Sequence, residues 1–352
     1  MKVLALAADD GGCGFYRMRE PARVAADMGV DITVSSDIAA HAFVDKETNM
    51  TTVTEIYTDA DLIIIQRPLD NSMSAVLEQA KKQGIATIVE LDDDFEMVHT
   101  GNYAHQFIEG KEHSGPQWIR KACEIADHIS ISTPALEKYG IGKSTVLRNC
   151  VPESIFDLTP AYEVTNGLLR VGWTGTTQVH PNDLQVTRGA LKDFLKDNHL
   201  RFNVVGDGLY VQDFLQLDKD TPFGFTGWKP LEEYYKTVRD TMDIGIVPLE
   251  MSPFNQAKSA LKGLEMAALG IPFVASPTKE YERFELYGVG KTASGPTEWR
   301  KHLQKWIDKP QTRESDARKY REIVYNENTI ERNASEWVET WERVVANRKA
   351  LA

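Results

Sequence analysis

Three charged residues near position 260 have the spacing that places side chains on one face of a helix. Lys258, Lys262 and Glu265 are separated by four and then three residues, so their side chains would project to the same side. Two ammonium groups can neutralise a diphosphate, and a carboxylate can accept hydrogen bonds from the hydroxyls of a ribose. A solvated, charged helix face has the same spacing, so the pattern alone leaves both interpretations open.

The residues between and after these three predict the helix that would carry them. Leu261, Leu264 and Ala268 form an apolar stripe that could pack against a sheet. Gly270 then interrupts the pattern, as expected at the C-terminal end of a helix. We therefore predict a helix over residues 258–269, followed by a short buried strand.

Glycine turns follow two other predicted strands of the second half, at residues 169–173 and 202–205. Glycine lets backbone N–H groups approach a phosphate closely, and neighbouring hydroxyls can add hydrogen bonds. A simple β-turn explains the second glycine run equally well. Gly175, Thr176 and Thr177 are candidates for contacting a phosphate, and Gly206, Asp207 and Gly208 form a flexible, acidic turn that is a further candidate for binding the same ligand. His180 and Asp183 are candidates for orienting the first turn.

Trp228 and Lys229 lie between a predicted strand at 223–225 and a predicted helix at 231–241. An indole ring at this place could stack on a nucleobase, or it could fill the core of the domain. Together with Ser259, these two residues complete the candidates for binding a nucleotide in the second half.

The first predicted strand, at residues 2–7, is followed by the glycine-rich run DDGGCGFYR. Its glycines fit the first two positions of the dinucleotide-binding fingerprint, but Arg17 occupies the third. An NAD(P)-dependent oxidoreductase therefore stays only as an alternative. Gly14, Tyr16 and Arg17 of this loop are candidate binding residues.

Asp92, Asp93 and Asp94 follow another predicted buried strand, at residues 86–91. They could bind or deprotonate an acceptor with help from His99, they could cap the following segment, or they could hold Mg²⁺ or Mn²⁺ through their oxygens. The sequence does not decide among these three interpretations.

The composition of the chain excludes several classes of protein. With 352 residues it is long enough for two domains, and no run of about 18 apolar residues predicts a membrane-spanning helix. Three cysteines without a CxxC pair argue against a disulfide scaffold or a zinc site and are typical of a cytoplasmic protein. A formal charge of −12 disfavours a protein that grips nucleic acid.

Short apolar runs alternate with helical patterns in both halves, which predicts an α/β fold with parallel sheets. Periodicity lapses between residues 151 and 167, which we interpret as a linker. We predict two Rossmann-like, doubly wound domains facing a cleft, over residues 1–155 and 168–325. Residues 326–352 would form a C-terminal helix that packs across the molecule.

The run from Leu264 to Ser276, LEMAALGIPFVAS, resembles the donor-site signature of the group 1 (family 4-like) retaining glycosyltransferases of the GT-B fold. By this resemblance Glu265 would hold the donor ribose, and Lys258 or Lys262 would hold the diphosphate. The chain departs from the family at Ala257, where relatives carry a second glutamate that contacts the sugar. The first loop GCGFYR and the run LDDDF resemble glycosyltransferases of bacteria and their phages. The resemblance to GT-B enzymes implies that this first loop faces the cleft and that Gly14, Tyr16 and Arg17 contact a donor phosphate or the acceptor.

The resemblance implies a glycosyltransferase that uses a nucleotide diphosphate sugar and retains configuration. We expect no cofactor and no divalent metal, because lysines would supply the positive charge. The acceptor could be a sugar, a polymer, a protein or a modified DNA base. A nucleotide-sugar-binding protein without activity is the main alternative. The candidates for catalysis are Lys258, Lys262, Glu265 and Asp93.

Overall fold

A computed structural model of the chain describes residues 1–102, 105, 115–164, 167–179, 182–208 and 210–351. Each half of the chain contains a six-stranded parallel sheet with helices packed around it. This confirms the predicted α/β fold of two Rossmann-like domains. No helix within the described ranges is long and apolar enough to span a membrane.

The sheet of the first domain has the strand order β2-β1-β5-β6-β7-β8. Its helices are α1 (Gly12–Gly14), a π-helical turn (Phe15–Arg19), α2 (Glu20–Asp27), α3 (Asn71–Lys82) and α4 (Gly115–Ile125), with 3-10 turns at Phe95–Met97, Pro134–Tyr139 and, in the linker, Glu153–Asp157. Its strands are β1 (Lys2–Leu6), β2 (Asp31–Ser35), β3 (Ala40–Val44), β4 (Thr51–Ile56), β5 (Leu62–Gln66), β6 (Ala86–Leu91), β7 (His128–Ile131) and β8 (Ser144–Val146). Strands β3 and β4 form a separate antiparallel hairpin beside α3.

The central strands of this sheet are apolar on both faces because both faces are covered. Every residue of β5 and β6 is buried, which is typical of parallel strands between two helical layers. On one face of the sheet, Ile63 of β5 belongs to the same hydrophobic cluster as Leu77 of α3. On the other face, Ile64 of β5 shares a cluster with Trp337, so the helices on the two sides of the sheet come from distant parts of the chain.

The sheet of the second domain has the order β11-β10-β9-β12-β13-β14. Its strands are β9 (Arg170–Thr176), β10 (Arg201–Asp207), β11 (Phe223–Thr226), β12 (Ile244–Val247), β13 (Phe273–Ala275) and β14 (Lys291–Thr292). Its helices are α5 (Ala161–Val164), α6 (Arg188–Asp197), α7 (Val211–Leu215), α8 (Leu231–Thr241), α9 (Pro253–Gln256), α10 (Leu261–Ala268), α11 (Lys279–Leu286), α12 (Pro296–Asp308) and α13 (Pro310–Glu327), with a 3-10 turn at Asp183–Val186.

The last helix, α14 (Ile330–Ala350), returns to the first domain and packs on α2. Trp337 and Trp341 are one turn apart and both are buried against that domain. The final helix thus covers the first sheet although the preceding helices belong to the second domain, as predicted.

In each sheet, the chain turns from one direction to the other at an inner strand. This happens beside β1 in the first sheet and beside β9 in the second. Ligands of open α/β sheets bind at the carboxyl ends of the strands next to such a point. The loops after β1, β6, β9 and β12 are therefore the places to examine for a site.

Candidate active site

A cleft between the domains brings together residues predicted from both halves of the sequence. It contains a cavity of about 220 Å³. Its first-domain wall includes Gly12, Cys13, Tyr16, Asp92 and Asp93, and its second-domain wall includes Leu249, Lys258, Ser259, Leu261 and Lys262.

The helix predicted over residues 258–269 is wrong at its start. Ser252 accepts a hydrogen bond from the backbone N–H of Asn255 and begins the short helix Pro253–Gln256. A turn follows, and α10 begins only at Leu261. Lys258 therefore lies in the turn before the helix and does not share a helix face with the later lysine and glutamate.

Lys262 is a half-buried cation that lies beside the carboxyl end of β9. A Cβ atom placed on Gly175 would lie 2.9 Å from the Lys262 Nζ. Within the described ranges, this ammonium group has no hydrogen-bond or ion-pair partner. Burial lowers the pKa of Lys262 to about 8, against the attraction of Asp183 and with a further contribution from the charge of Lys258. The site thus holds a positive charge that is not neutralised.

The ends of β9 and β10 lie side by side and are kept open by glycine. Gly175 and Gly206 are directly paired, and a Cβ atom on Gly206 would meet the Gly175 carbonyl oxygen at 2.2 Å. Gly206 also has a φ of +126°, which only glycine adopts readily. The Trp228 ring lies over Gly206, 3.1 Å from the same Cβ position, and is 57% exposed. The Thr176 hydroxyl donates to Asp207 at 3.2 Å.

The other residues predicted for this part of the site have different surroundings. Thr177 is buried beneath the turn. Gly208 packs against an aromatic ring of β11. Lys229 is exposed and precedes α8, and its ammonium group pairs with Glu233 of that helix, 3.7 Å away. His180 lies outside the described residues.

Glu265 is the buried carboxylate at the centre of the site, with an exposure of 6%. The Tyr16 hydroxyl donates to one of its oxygens at 2.5 Å, and the Tyr234 hydroxyl donates to the other at 3.1 Å. Burial raises the pKa of Glu265, against the two hydroxyls and the charge of Lys262. The Tyr235 hydroxyl lies 2.6 Å from that of Tyr16. The sequence analysis missed both tyrosines of α8, whose only signal is their position on a helix next to the site.

Asp92 and the loop after β1 are connected by Arg67. The Arg67 guanidinium bonds to both carboxylate oxygens of Asp92, through Nε at 2.6 Å. It also pairs with Asp9 at 3.2 Å. Asp9 accepts hydrogen bonds from the N–H groups of Gly11 and Gly14 at 2.8 and 3.1 Å. Although burial acts to raise the pKa of Asp92, the charge of Arg67 lowers it below its usual range. Asp92 and Gly14 thus shape the first-domain wall.

The two following aspartates have separate partners. Asp93 faces the second domain and pairs with Lys258, with 3.1 Å between carboxylate oxygen and Nζ. Asp94 turns away from the cleft to Lys138 and to the Tyr139 hydroxyl, each at 2.8 Å. Among the described residues, no three His, Cys, Asp or Glu side chains are grouped to hold a metal ion. Of the three aspartates, Asp93 is the one whose carboxylate reaches across the cleft.

Arg17 and His99 differ in their position relative to the cleft. Arg17 is among the residues that line the cleft cavity, and its predicted contact with an acceptor or a phosphate stays a prediction. Arg17 is 1% exposed, and its guanidinium pairs with Glu90 at 2.6 Å and with the Asn149 side chain at 3.0 Å. These contacts give it an internal role, because Glu90 lies in a fully buried strand and needs a cation. His99 is exposed and accepts a hydrogen bond from the Gly101 N–H at 2.9 Å.

Part of the chain matches the model of a known protein family. Residues 187–339 match the model of a family described as glycosyl transferase-like. This range contains Trp228, Lys258, Lys262 and Glu265. Among curated proteins, no sequence matches the chain.

Solved structures match nearly the whole chain. HepE of Anabaena, determined in complex with UDP and glucose, superposes with a TM-score of 0.64 and 13% identity, covering 97% of this chain and 99% of HepE. Sucrose-phosphate synthase of Thermosynechococcus elongatus gives a TM-score of 0.65 and 14% identity, with coverage of 99% and 100%. A glycosyltransferase of Rickettsia africae gives 0.61 and 13%, with coverage of 98% of each chain. These structures confirm the predicted GT-B fold, and the match of residues 187–339 supports the resemblance of the second half to glycosyl transferases.

Ala257 stands where the sequence resemblance places a glutamate in relatives. Ala257 is buried and packs with the hydrophobic core of the first domain. Its carbonyl oxygen accepts a hydrogen bond from the Thr133 hydroxyl at 2.7 Å. The position that would carry a sugar-binding glutamate in a GT-B relative is therefore an interdomain contact in this chain.

Proposed function

We propose that this protein is a glycosyltransferase that moves a sugar from a nucleoside diphosphate sugar to an acceptor. The observation that carries the proposal is Lys262. It is a half-buried ammonium group beside the open strand ends at Gly175 and Gly206, and it has no ion-pair partner within the described part of the chain. An anion bound there would neutralise this charge and regain part of the cost of burying it.

The remaining second-domain residues suggest how a donor would be oriented. The diphosphate would contact Lys262 and the backbone at Gly175, next to the N-terminal end of α10, where free N–H groups favour anions. The ribose hydroxyls would bond to Glu265. The base would stack on the exposed face of Trp228. HepE, which has the same fold, was determined with UDP bound, and this supports a nucleoside diphosphate as the ligand.

The reaction requires stabilisation of the leaving group. As the bond between the sugar carbon and the phosphate oxygen breaks, negative charge grows on the diphosphate, and the ammonium group of Lys262 would stabilise it. The acceptor oxygen forms the new bond, and its proton would pass to the leaving diphosphate on the same face of the sugar. This route retains configuration, needs no protein nucleophile and, because lysine supplies the positive charge, requires no divalent metal.

The acceptor would enter along the first-domain wall, beside Asp93 and the Arg67–Asp92 pair. A sugar, a surface polymer, a protein and a modified DNA base all remain candidates for it. Because Ala257 replaces the sugar-binding glutamate of the family, a nucleotide-sugar-binding protein without transfer activity is the second candidate function.

The proposal is tested by mixing the purified protein with UDP-, GDP- and ADP-sugars and a panel of acceptors and measuring released nucleoside diphosphate. We expect release from one donor class, strongly reduced in Lys262→Met and Glu265→Gln. Lys236→Met is the matched control, because Lys236 is an exposed lysine that pairs with Asp240 on the surface of the same domain. Full release by both site variants would contradict the proposal, and nucleotide binding without release from any donor would favour the second candidate.

A further inference from the structure

The start of α10 and the turn before it are held by side chains of the first domain. The Asn149 side chain donates to the Ser259 hydroxyl at 2.7 Å, next to the contact between Thr133 and Ala257. Lys258 and Glu265, which could both bind a donor, are also bonded to side chains of the first domain. The two domains are therefore closed on each other, and first-domain side chains bond to the second-domain residues that a donor would need.

The contact at Glu265 uses the same chemistry as a ribose. A ribose hydroxyl would donate a hydrogen bond to a Glu265 oxygen, and the Tyr16 hydroxyl does so in this structure. Tyr234 already bonds to the other oxygen. Tyr16 lines the cleft cavity, and together with Tyr234 it engages both oxygens of Glu265. A ribose hydroxyl that enters from this cavity would therefore compete with Tyr16 for Glu265.

The contact at Lys258 uses the same chemistry as a phosphate. The Asp93 carboxylate places an anionic oxygen 3.1 Å from the Lys258 Nζ, as a diphosphate oxygen would. Both groups are mostly buried, with side-chain exposures of 21% and 19%, so little solvent screens the pair. An incoming diphosphate would have to compete with Asp93 for this lysine.

We propose that Tyr16 and Asp93 of the first domain occupy the positions of the donor's ribose hydroxyl and phosphate, and that the donor must displace both in order to bind. This inference rests on the proposed function. It makes this arrangement of the domains self-inhibited, because two of the contacts that join the domains also block the site. Donor entry is then coupled to separation of the domains.

The local structure around Tyr16 attaches its backbone firmly to the first domain. Tyr16 lies in the π-helical turn Phe15–Arg19, a wide turn that is frequent at functional sites. The next residue, Arg17, is fixed inside the first domain by its buried pairing with Glu90. Because Tyr16 is attached to this fixed point, it leaves Glu265 when the first domain rotates away.

The test is calorimetric titration of the full-length protein with UDP, GDP and ADP. For whichever nucleotide the wild type binds, Tyr16→Phe should bind about tenfold more tightly, because the competing hydrogen bond to a carboxylate is lost. Asp93→Asn should also bind more tightly. Tyr234→Phe is the matched control, because it removes a hydrogen bond to the same carboxylate within one domain, and it should not tighten binding.

Several outcomes distinguish this inference from the function on which it rests. If the wild type binds none of the three nucleotides, the proposed function fails. If the wild type binds one of them but Tyr16→Phe and Asp93→Asn bind it equally or more weakly, the displacement is refuted and the function stands. The gain in Tyr16→Phe should also shrink for the 2′,3′-dideoxynucleoside diphosphate. An equal gain for that compound would overturn the assignment of Tyr16 to the ribose position.

Discussion

Replacing Lys262 by methionine should weaken nucleoside diphosphate binding while leaving the fold intact. Methionine has a similar length and no charge, so it keeps the packing of the aliphatic stem near the Trp173 ring, whose centre lies 5.5 Å from Nζ. The loss should come almost entirely from the missing ammonium group. A hydrogen bond to a charged partner contributes about 1.5–3 kcal/mol, which corresponds to a loss of roughly 10- to 150-fold in affinity.

The same variant should abolish a pH dependence of binding. The pKa of Lys262 is lowered from 10.5 to about 8 in the unliganded protein, and a bound diphosphate would raise it again. Between pH 8 and the pKa of the complex, the free protein must therefore take up a proton to bind, and wild-type affinity should fall about tenfold per pH unit. Phosphate groups complete their last ionisation near pH 6, so they do not contribute in this range.

The thermal stability of Lys262→Met, measured without nucleotide, gives an independent check on the direction of the pKa shift of Lys262. In the folded protein Lys262 loses its proton near pH 8, and in the unfolded chain near 10.5. The unfolded state therefore binds more protons between these values, and the contribution of this group to stability rises as the pH increases through that window. At pH 7 the charged lysine is a cost, so Lys262→Met should unfold at a higher temperature than the wild type.

The assay is calorimetric titration at half-unit pH steps from 7 to 10, with Lys236→Met as the surface control. The control should bind with the affinity and pH dependence of the wild type. If Lys262→Met binds as tightly as the wild type, or retains the fall in affinity above pH 8, the charge of Lys262 does not hold the diphosphate and the reasoning is refuted.

Three further predictions follow from contacts elsewhere in the cleft. Arg17→Met should cost about 3–5 kcal/mol in urea unfolding because it leaves Glu90 buried without its cation, and a variant of unchanged stability would show that the pair is not needed. Gly206→Ala should lower the melting temperature and nucleotide affinity together, since its Cβ would lie 2.2 Å from the Gly175 carbonyl oxygen; normal values of both would mean that the strand ends can rearrange freely. Trp228→Ala should weaken nucleotide binding by about 0.5–1.5 kcal/mol with little change in melting temperature, because the ring is 57% exposed, and equal affinity would exclude stacking on this ring.

The sequence predicted those features that depend on short stretches of chain. Gly270 ends α10 with a φ of +74°, as expected from a glycine two residues before a proline. The buried run of β6 was recognisable from consecutive apolar residues. The sequence pattern placed the start of α10 too early. The chain breaks before Leu261 because Ser252 begins a separate short helix and because residues of the turn contact the first domain.

The sequence could not predict contacts between residues that are distant from each other in the chain. Tyr16 and Glu265 are 249 positions apart, and no local pattern connects them. The antiparallel hairpin of β3 and β4 was also missed, although the alternation TTVTEI at residues 51–56 is a signal for it. Glu90 lies within an otherwise apolar strand and could have indicated a buried ion pair, since a buried carboxylate requires a cation nearby.

The central claim is that the second domain binds a nucleoside diphosphate through Lys262 and Glu265. It is tested most directly by a thermal-shift titration of the purified protein with UDP, GDP, ADP and NAD, with and without Mg²⁺. We predict that one diphosphate raises the melting temperature independently of metal and that this shift is lost in Lys262→Met. Stabilisation by NAD alone, or by none of the four compounds, would contradict the claim.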